Sequence, residues 1–274
     1  MNATQLEKAT RFAALHHGPG AFVIANVWDA GSARLLAALG FPALATSSGA
    51  SAATLGRRDG QLTRQEALDQ ARAIVEATDL PVSADLEKGF GDAPEDAAET
   101  LRLAAQAGLV GGSIEDATGD PDRPLFDFDA AVERVAAAAR AARDLPFPFT
   151  LTARAEGFLR GRPDLDDVIA RLRAFEKAGA DVLFAPCLPD LEAVRKVCAV
   201  LSKPVNFMAG MKGKSFTVAD LEAVGVRRIS LATSLYRAAL TGLRDAAREV
   251  REQGTFGYLD RALSTAEMNE VLKF

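Results

Sequence analysis

The sequence predicts an α/β protein, a single-domain (β/α)8 TIM barrel, and three observations carry that prediction. A short β-rich run, a polar break and an amphipathic helix recur eight times along the 274 residues. No Ser/Gly/Pro-rich linker divides them, which favours a closed barrel over an open doubly wound sheet. Polar residues gather at the carboxyl ends of several runs and not at their starts, the mark of an α/β active site.

After a short N-terminal helix, strands are predicted at roughly 21–28, 42–47, 80–85, 109–115, 149–154, 180–186, 204–208 and 228–232. Helices are predicted between them at roughly 30–39, 63–78, 94–107, 129–143, 165–178, 190–201 and 217–224, with a long one at 234–253. Thr63 with Glu66 and Thr217 with Asp220 have capping-box spacing, while Gly40, Gly108, Gly179 and Gly225 stand where helices should stop. Ala97, Leu101, Ala104 and Ala105 form a stripe suited to packing on a sheet. The catalytic domain is therefore placed at 1–255. A C-terminal tail at 256–274 carries one more helix in STAEMNEVLKF, to pack on the barrel or on a partner subunit.

A composition of 49% hydrophobic and 25% charged residues is that of an ordinary soluble protein with a large core. The net charge of −5 argues against a nucleic-acid surface. No apolar run reaches membrane-spanning length, and the N-terminus lacks a signal-peptide core. Two cysteines, Cys187 and Cys198, fit a reducing cytoplasm better than a disulfide framework. The adjacent His16 and His17 are the only histidines, which argues against a His-ligated zinc site or a His general base.

The segment Leu80–Asp92, LPVSADLEKGFGD, breaks from a buried strand into Asp85, Glu87 and Lys88. Acids at a strand mouth need a cation or hydrogen bonds. With Asp59 and Glu115 they place four carboxylates on one barrel mouth. Oxygen-only ligation suits Mg²⁺, with Mn²⁺ as the alternative. Against this, each acid alone could cap a helix or pair with Arg57, Arg58 or Lys88. Thr46-Ser47-Ser48-Gly49 could hold a carboxylate or an oxyanion, or be a plain βα turn. Arg154 needs an anion, either substrate or Glu156 and Glu115. Asn206 is a substrate contact or a satisfied core amide. Gly210–Ser215 imitates a phosphate loop, but Met208 stands where its first glycine should be. Lys88, beside two acids, is a poor Schiff-base lysine.

SSG at 47–49, RRDG at 57–60, SADLEKGFGD at 83–92, SIED at 113–116, TARAE at 152–156 and PVNFM at 204–208 occur in one order. Together they resemble the phosphoenolpyruvate mutase/isocitrate lyase superfamily over nearly the whole chain. That resemblance implies a (β/α)8 barrel, helix 8 exchanged between subunits of a homo-oligomer (a dimer or tetramer), bound Mg²⁺ and a small 2-oxo acid substrate. It implies Asp85 as direct metal ligand, with Asp59, Glu87 and Glu115 on the metal's waters. Ser47, Ser48 and Gly49 would bind the substrate's carboxylate and oxyanion end, joined by Asp85, Arg154 and Asn206. Glu87 stands where the family carries Asp.

The isocitrate and methylisocitrate lyases of that superfamily carry a Lys-Lys/Arg-Cys-Gly-His loop after strand 4. Here the segment is Ala117–Leu125, ATGDPDRPL, which offers Thr118, Arg123 and two aspartates. Thr118 joins Asp59, Glu115 and Arg154 as a candidate catalytic group. The expectation is a Mg²⁺-dependent lyase, hydrolase or mutase. It would cleave a C–C or P–C bond in an oxaloacetate- or phosphonopyruvate-like acid through a metal-stabilised pyruvate enolate, and would not be an isocitrate or methylisocitrate lyase. The alternatives are a non-catalytic α-oxo-acid binding protein and a Schiff-base aldolase.

Overall fold

In the computed structural model, which describes residues 3–213 and 216–273, Thr4 starts helix α1 (Gln5–Leu15) through a capping box with Glu7. The chain continues through β1 (Phe22–Val27), α2 (Ala30–Ala38), β2 (Leu44–Thr46) and a short α3 (Ser48–Thr54). Then follow α4 (Arg64–Glu76), β3 (Val82–Asp85), α5 (Pro94–Gln106), β4 (Gly111–Glu115) and α6 (Phe128–Arg143). Next come β5 (Thr150–Arg154), α7 (Leu165–Ala178), β6 (Val182–Phe184), α8 (Leu191–Val200), β7 (Val205–Met208) and α9 (Val218–Ala223). β8 (Arg228–Ser230), the long α10 (Ser234–Gln253), a 3-10 turn (Gly257–Arg261) and α11 (Thr265–Val271) complete it.

The strands are parallel and paired in chain order, and β8 closes on β1 through Phe22 beside Arg228 and Ile24 beside Ser230. All eight lie within the runs predicted for them. The capping boxes at Thr63 and Thr217 are present, and Gly40, Gly108, Gly179 and Gly225 all have positive φ. The turn reading of Thr46–Gly49 is corrected: Ser47 is an N-cap, accepting from the Ala50 N–H, and a helix begins at Ser48. Small, turn-forming residues hid a helix of only two turns. Lys214 and Ser215 of the loop after β7, and Phe274 at the end of the tail, lie outside the described residues.

The period-2 rule sorts each strand between barrel and shell. On β5, Leu151 and Ala153 join the core beneath the helices, while Thr152 and Arg154 turn inward to meet Arg228 and Asp85. On α5, Ala97, Leu101 and Ala104 are fully buried, as their stripe predicts. Helix α1 plugs the amino end of the barrel with Ala9 and Phe12, which pack on Ile24, Ala43 and Val110. That plug requires a glycine: a Cβ on Gly111 would lie 2.7 Å from the Phe12 ring. With α1 packed on the amino end, the cavity lined by the polar interior lies at the carboxyl ends of the strands.

Candidate active site

The loop after β3 is held in an unusual shape. Glu87 and Phe90 have φ of 51° and 59°, a left-handed conformation that non-glycine residues avoid unless the surroundings impose it. The buried Arg134 of α6 supplies that constraint by donating to the carbonyls of Lys88, Asp92 and Ala93. Lys88 donates to Asp92 at 2.5 Å and to the Thr118 carbonyl at 2.6 Å, which leaves it tethered. The mouth of β3 is thus fixed from below.

Asp85 is the centre of what results. Its Oδ2 accepts from Ser48 Oγ at 2.9 Å, and its Oδ1 lies 3.0 Å from Arg154 Nη1. The same guanidinium reaches Glu115 at 3.2 Å and Glu156 at 2.8 Å. Arg160, from the loop after β5, clamps Glu115 at 3.0 Å and Glu156 at 3.2 Å. Burial would raise the Asp85 pKa, but Arg154 and the hydrogen bonds from Ser48 and the Glu87 N–H outweigh it and hold the group below the usual carboxylate range. Glu115 moves the other way: burial, then the charge of Glu156, raises it well above that range despite both arginines. Burial raises the pKa of Glu87 to about 7, helped by Asp85 and Asp59.

Asp59 comes in over the pocket from the 57–60 turn. A Cβ on Gly49 would lie 3.3 Å from the Asp59 carboxylate and 3.1 Å from Thr233, so glycine permits this approach. Ser47, Ser48, Gly49, Asp59, Asp85, Arg154 and Asn206 all line one cavity of about 270 Å³ at the carboxyl ends of the strands. A wider depression of about 530 Å³ lies at the other end of the barrel, beside the first residues of β5 and β6, away from these acids. Thr118 does not join the cavity lining. Its hydroxyl donates to the Arg123 carbonyl and accepts from the Asp120 N–H at 2.9 Å, inside a closed loop pinned by an Ala117–Leu125 bridge.

Asn206 accepts from Arg228 Nε at 2.8 Å and donates to Ser230 Oγ at 3.0 Å. It is a hydrogen-bonded interior amide that also faces the cavity. Arg228 and Arg160 escaped the sequence reading. Arg228 stands two residues before Ser230 on an inward-facing register, and Arg160 stands four after Glu156; those spacings are the signals that could have found them.

Among the described residues no three acidic, histidine or cysteine side chains converge closely enough to ligate an ion directly. The donor set nevertheless fits a hard divalent cation that keeps its waters. It is all oxygen, and the carboxyl groups of Asp85 and Asp59 stand close enough to Glu87 to add to the rise that burial causes in its pKa. Asp85 could hold such an ion directly, with Asp59, Glu87 and Glu115 acting through water.

The family model described as phosphoenolpyruvate phosphomutase matches residues 12–251. The oxaloacetate decarboxylase of Paraburkholderia xenovorans is 32% identical over 236 residues, 83% of this chain and 77% of that protein. The 2-methylisocitrate lyase of Escherichia coli K12 is 28% identical over 258 residues, 90% of this chain and 85% of that one. The crystal structure of a candidate lyase/mutase from Burkholderia cenocepacia J2315 superposes with a TM-score of 0.95 at 53% identity, covering 97% of this chain and 95% of that one.

Proposed function

The chain belongs to the phosphoenolpyruvate phosphomutase family, an enzyme family of lyases and mutases, and on that premise we propose that it is a Mg²⁺-dependent enzyme acting on a small 2-oxo acid. The substrate is oxaloacetate- or phosphonopyruvate-like, and the bond cleaved is C–C or P–C, β to the carbonyl. One observation carries the reading. Asp85 faces a small cavity with one oxygen on Arg154 and the other on Ser48, so that a cation site and a carboxylate site share a wall. The oxaloacetate decarboxylase relative acts on an acid of this size.

Asp85 would hold the ion, with Asp59, Glu87 and Glu115 orienting its waters; when bound, the ion supplies Lewis-acid polarisation of the carbonyl oxygen. Ser47, Ser48 and Gly49 bind the carboxylate and the oxygen that becomes enolate-like. Arg154 keeps Asp85 ionised and oriented, and Glu115 and Glu156 keep Arg154 in place. Asn206 lines the pocket beside the substrate. Thr118, proposed from sequence as a catalytic group, is reassigned to holding the loop shut, since its hydroxyl is consumed within that loop.

The same loop carries the finer claim. Cleavage of isocitrate or 2-methylisocitrate needs a proton donor for the departing carbanion, and Ala117–Leu125 directs no cysteine or histidine to the cavity. A leaving group such as CO₂, or a phosphoryl group passed to water, needs none. A screen of oxaloacetate, phosphonopyruvate and 2-methylisocitrate with Mg²⁺, reading pyruvate release, tests the assignment. Turnover of one of the first two supports it; turnover of methylisocitrate alone contradicts it.

We also propose a homo-oligomer, a dimer or tetramer in which α10 packs on a second copy. Helix α10 buries no residue within its own chain and exposes Leu240, Leu243 and Val250, next to exposed Phe256, Leu259 and Leu263. An apolar surface of that extent needs a cover. Among the described residues no helix is long and apolar enough to cross a membrane.

A further inference from the structure

Arg228 is a buried cation with neutral partners. Its side chain enters the barrel from β8, and the residue is only 5% exposed. Nε donates to Asn206 Oδ1 at 2.8 Å, Nη2 donates to Thr152 Oγ1 at 2.9 Å, and Nη1 lies 3.5 Å from His16 Nε2. His16 stays neutral, since burial and then Arg228 itself push its pKa down to about 3. Among the described residues no carboxylate stands within ion-pair distance of Arg228. Burial first, then Arg154, lowers its own pKa to about 9, which leaves it charged at neutral pH. A buried charge without a counterion is costly, and proteins retain one where it has a use.

That use follows from where the charge sits. Arg228 lines the same cavity as Asp85 and Ser48. Above it, Arg154 and Arg160 are both engaged by acidic side chains, those of Asp85, Glu115 and Glu156. Arg154 is spent on three of those acids. Arg237, the remaining arginine of the cavity, is exposed at the rim, where water screens it. An anionic substrate entering this site finds the inner arginine, Arg228, without a counterion.

We propose that Arg228 is the specificity-determining residue for substrate charge: it supplies the unpaired positive charge that lets an acid-rich pocket accept a multiply charged anion, and it orients the Asn206 amide toward that anion. The inference deepens the function proposed above and rests on it. It assigns to β8 a role distinct from the acids of β3 and β4. Arg228 acts through charge and through Asn206, and lysine can replace the first of these contributions while glutamine can replace part of the second.

The test compares oxalate, a dianion, with oxamate, its monoanionic amide of the same shape. Both are titrated calorimetrically with Mg²⁺ into the wild type, Arg228→Lys and Arg228→Gln, each checked for folding by circular dichroism. Differences in how the two acids chelate the ion cancel when the affinity ratio is compared between variants. The wild type should prefer oxalate. Arg228→Gln should lose about tenfold or more of that preference, while Arg228→Lys keeps most of the preference and binds both acids more weakly. A folded Gln variant with the wild-type ratio overturns the proposal, as does a Lys variant that loses the preference as fully as Gln. If the Gln variant does not fold, Arg228→Met takes its place in the same comparison. A wild type that binds neither acid contradicts the proposed function itself, an outcome distinct from normal binding with an unchanged ratio.

Discussion

Arg154 Nη1 lies 3.0 Å from Asp85 Oδ1 and 3.2 Å from Glu115, tying the end of β3 to the end of β4 through a residue of β5. The guanidinium is the only group in this network that can face Asp85, Glu115 and Glu156 together, because its planar fork presents donors on two sides. Arg154→Met should leave Asp85 without its cation and Glu115 and Glu156 with Arg160 alone. The expected loss is about 3–5 kcal/mol of stability in urea unfolding at neutral pH, together with activity. Arg154→Lys should be intermediate in stability, since a point charge satisfies one acid at a time. Equal stability of wild type and the Met variant would show that the network is not a structural unit.

His16 gives a pH prediction. Burial and Arg228 lower its pKa from 6.5 to about 3, so the folded state keeps it neutral while the unfolded chain takes up a proton below about pH 6.5. Its contribution to stability is therefore complete above pH 6.5 and is lost as pH falls toward 3, at up to about 1.4 kcal/mol per pH unit. Raised carboxylates such as Glu87 and Asp116 work in the opposite sense over part of that range. The difference between wild type and His16→Gln isolates the histidine. The stability of wild type relative to His16→Gln should fall steadily from pH 6.5 down to 5; a flat difference would contradict the neutral assignment.

The closed loop Ala117–Leu125 predicts what the enzyme does not do. With the Thr118 hydroxyl bound to Arg123 and Asp120, Thr118→Ala should loosen the loop and change turnover of the true substrate by no more than about tenfold. A missing general acid costs about 10²–10⁴-fold, so 2-methylisocitrate cleavage by the wild type should be that far below an ordinary enzyme's rate. A Thr118→Ala loss of a thousandfold or more would restore the hydroxyl to a chemical role.

The barrel was legible in the sequence because period-2 runs and capping boxes are local signals, written within a few residues of where they act. The acids at the strand ends were legible for the same reason, from their position after each run. Arg228 was not, because its one mark, the two-residue spacing from Ser230, says nothing until closure of β8 on β1 shows which face of the strand turns inward. The helix at Ser48 was hidden by small residues that suit a turn equally well, and packing decided between them. The partners of the Thr118 hydroxyl were not legible because they lie within a loop whose closure is seen only in the Ala117–Leu125 bridge.

Helix α10 makes a prediction about assembly. Its exposed Leu240 and Leu243 lie on a helix none of whose residues is fully buried in its own chain. Leu243→Glu should shift the molecular mass seen by light scattering after gel filtration toward the monomer. A wild type that is monomeric at micromolar concentration would remove the basis for this assignment.

The central claim is that Asp85 anchors a divalent cation against which a 2-oxo acid is bound. Oxalate has the shape and charge of a pyruvate enolate, and mimics of a reaction's high-energy state bind more tightly than substrates. Calorimetric titration of oxalate should give a dissociation constant in the micromolar range or tighter with Mg²⁺ present. Binding should be lost in chelator and in Asp85→Asn, a variant that keeps the Ser48 contact and the shape of the strand end. Oxalate binding of equal strength with Mg²⁺, in chelator and in Asp85→Asn would contradict the account.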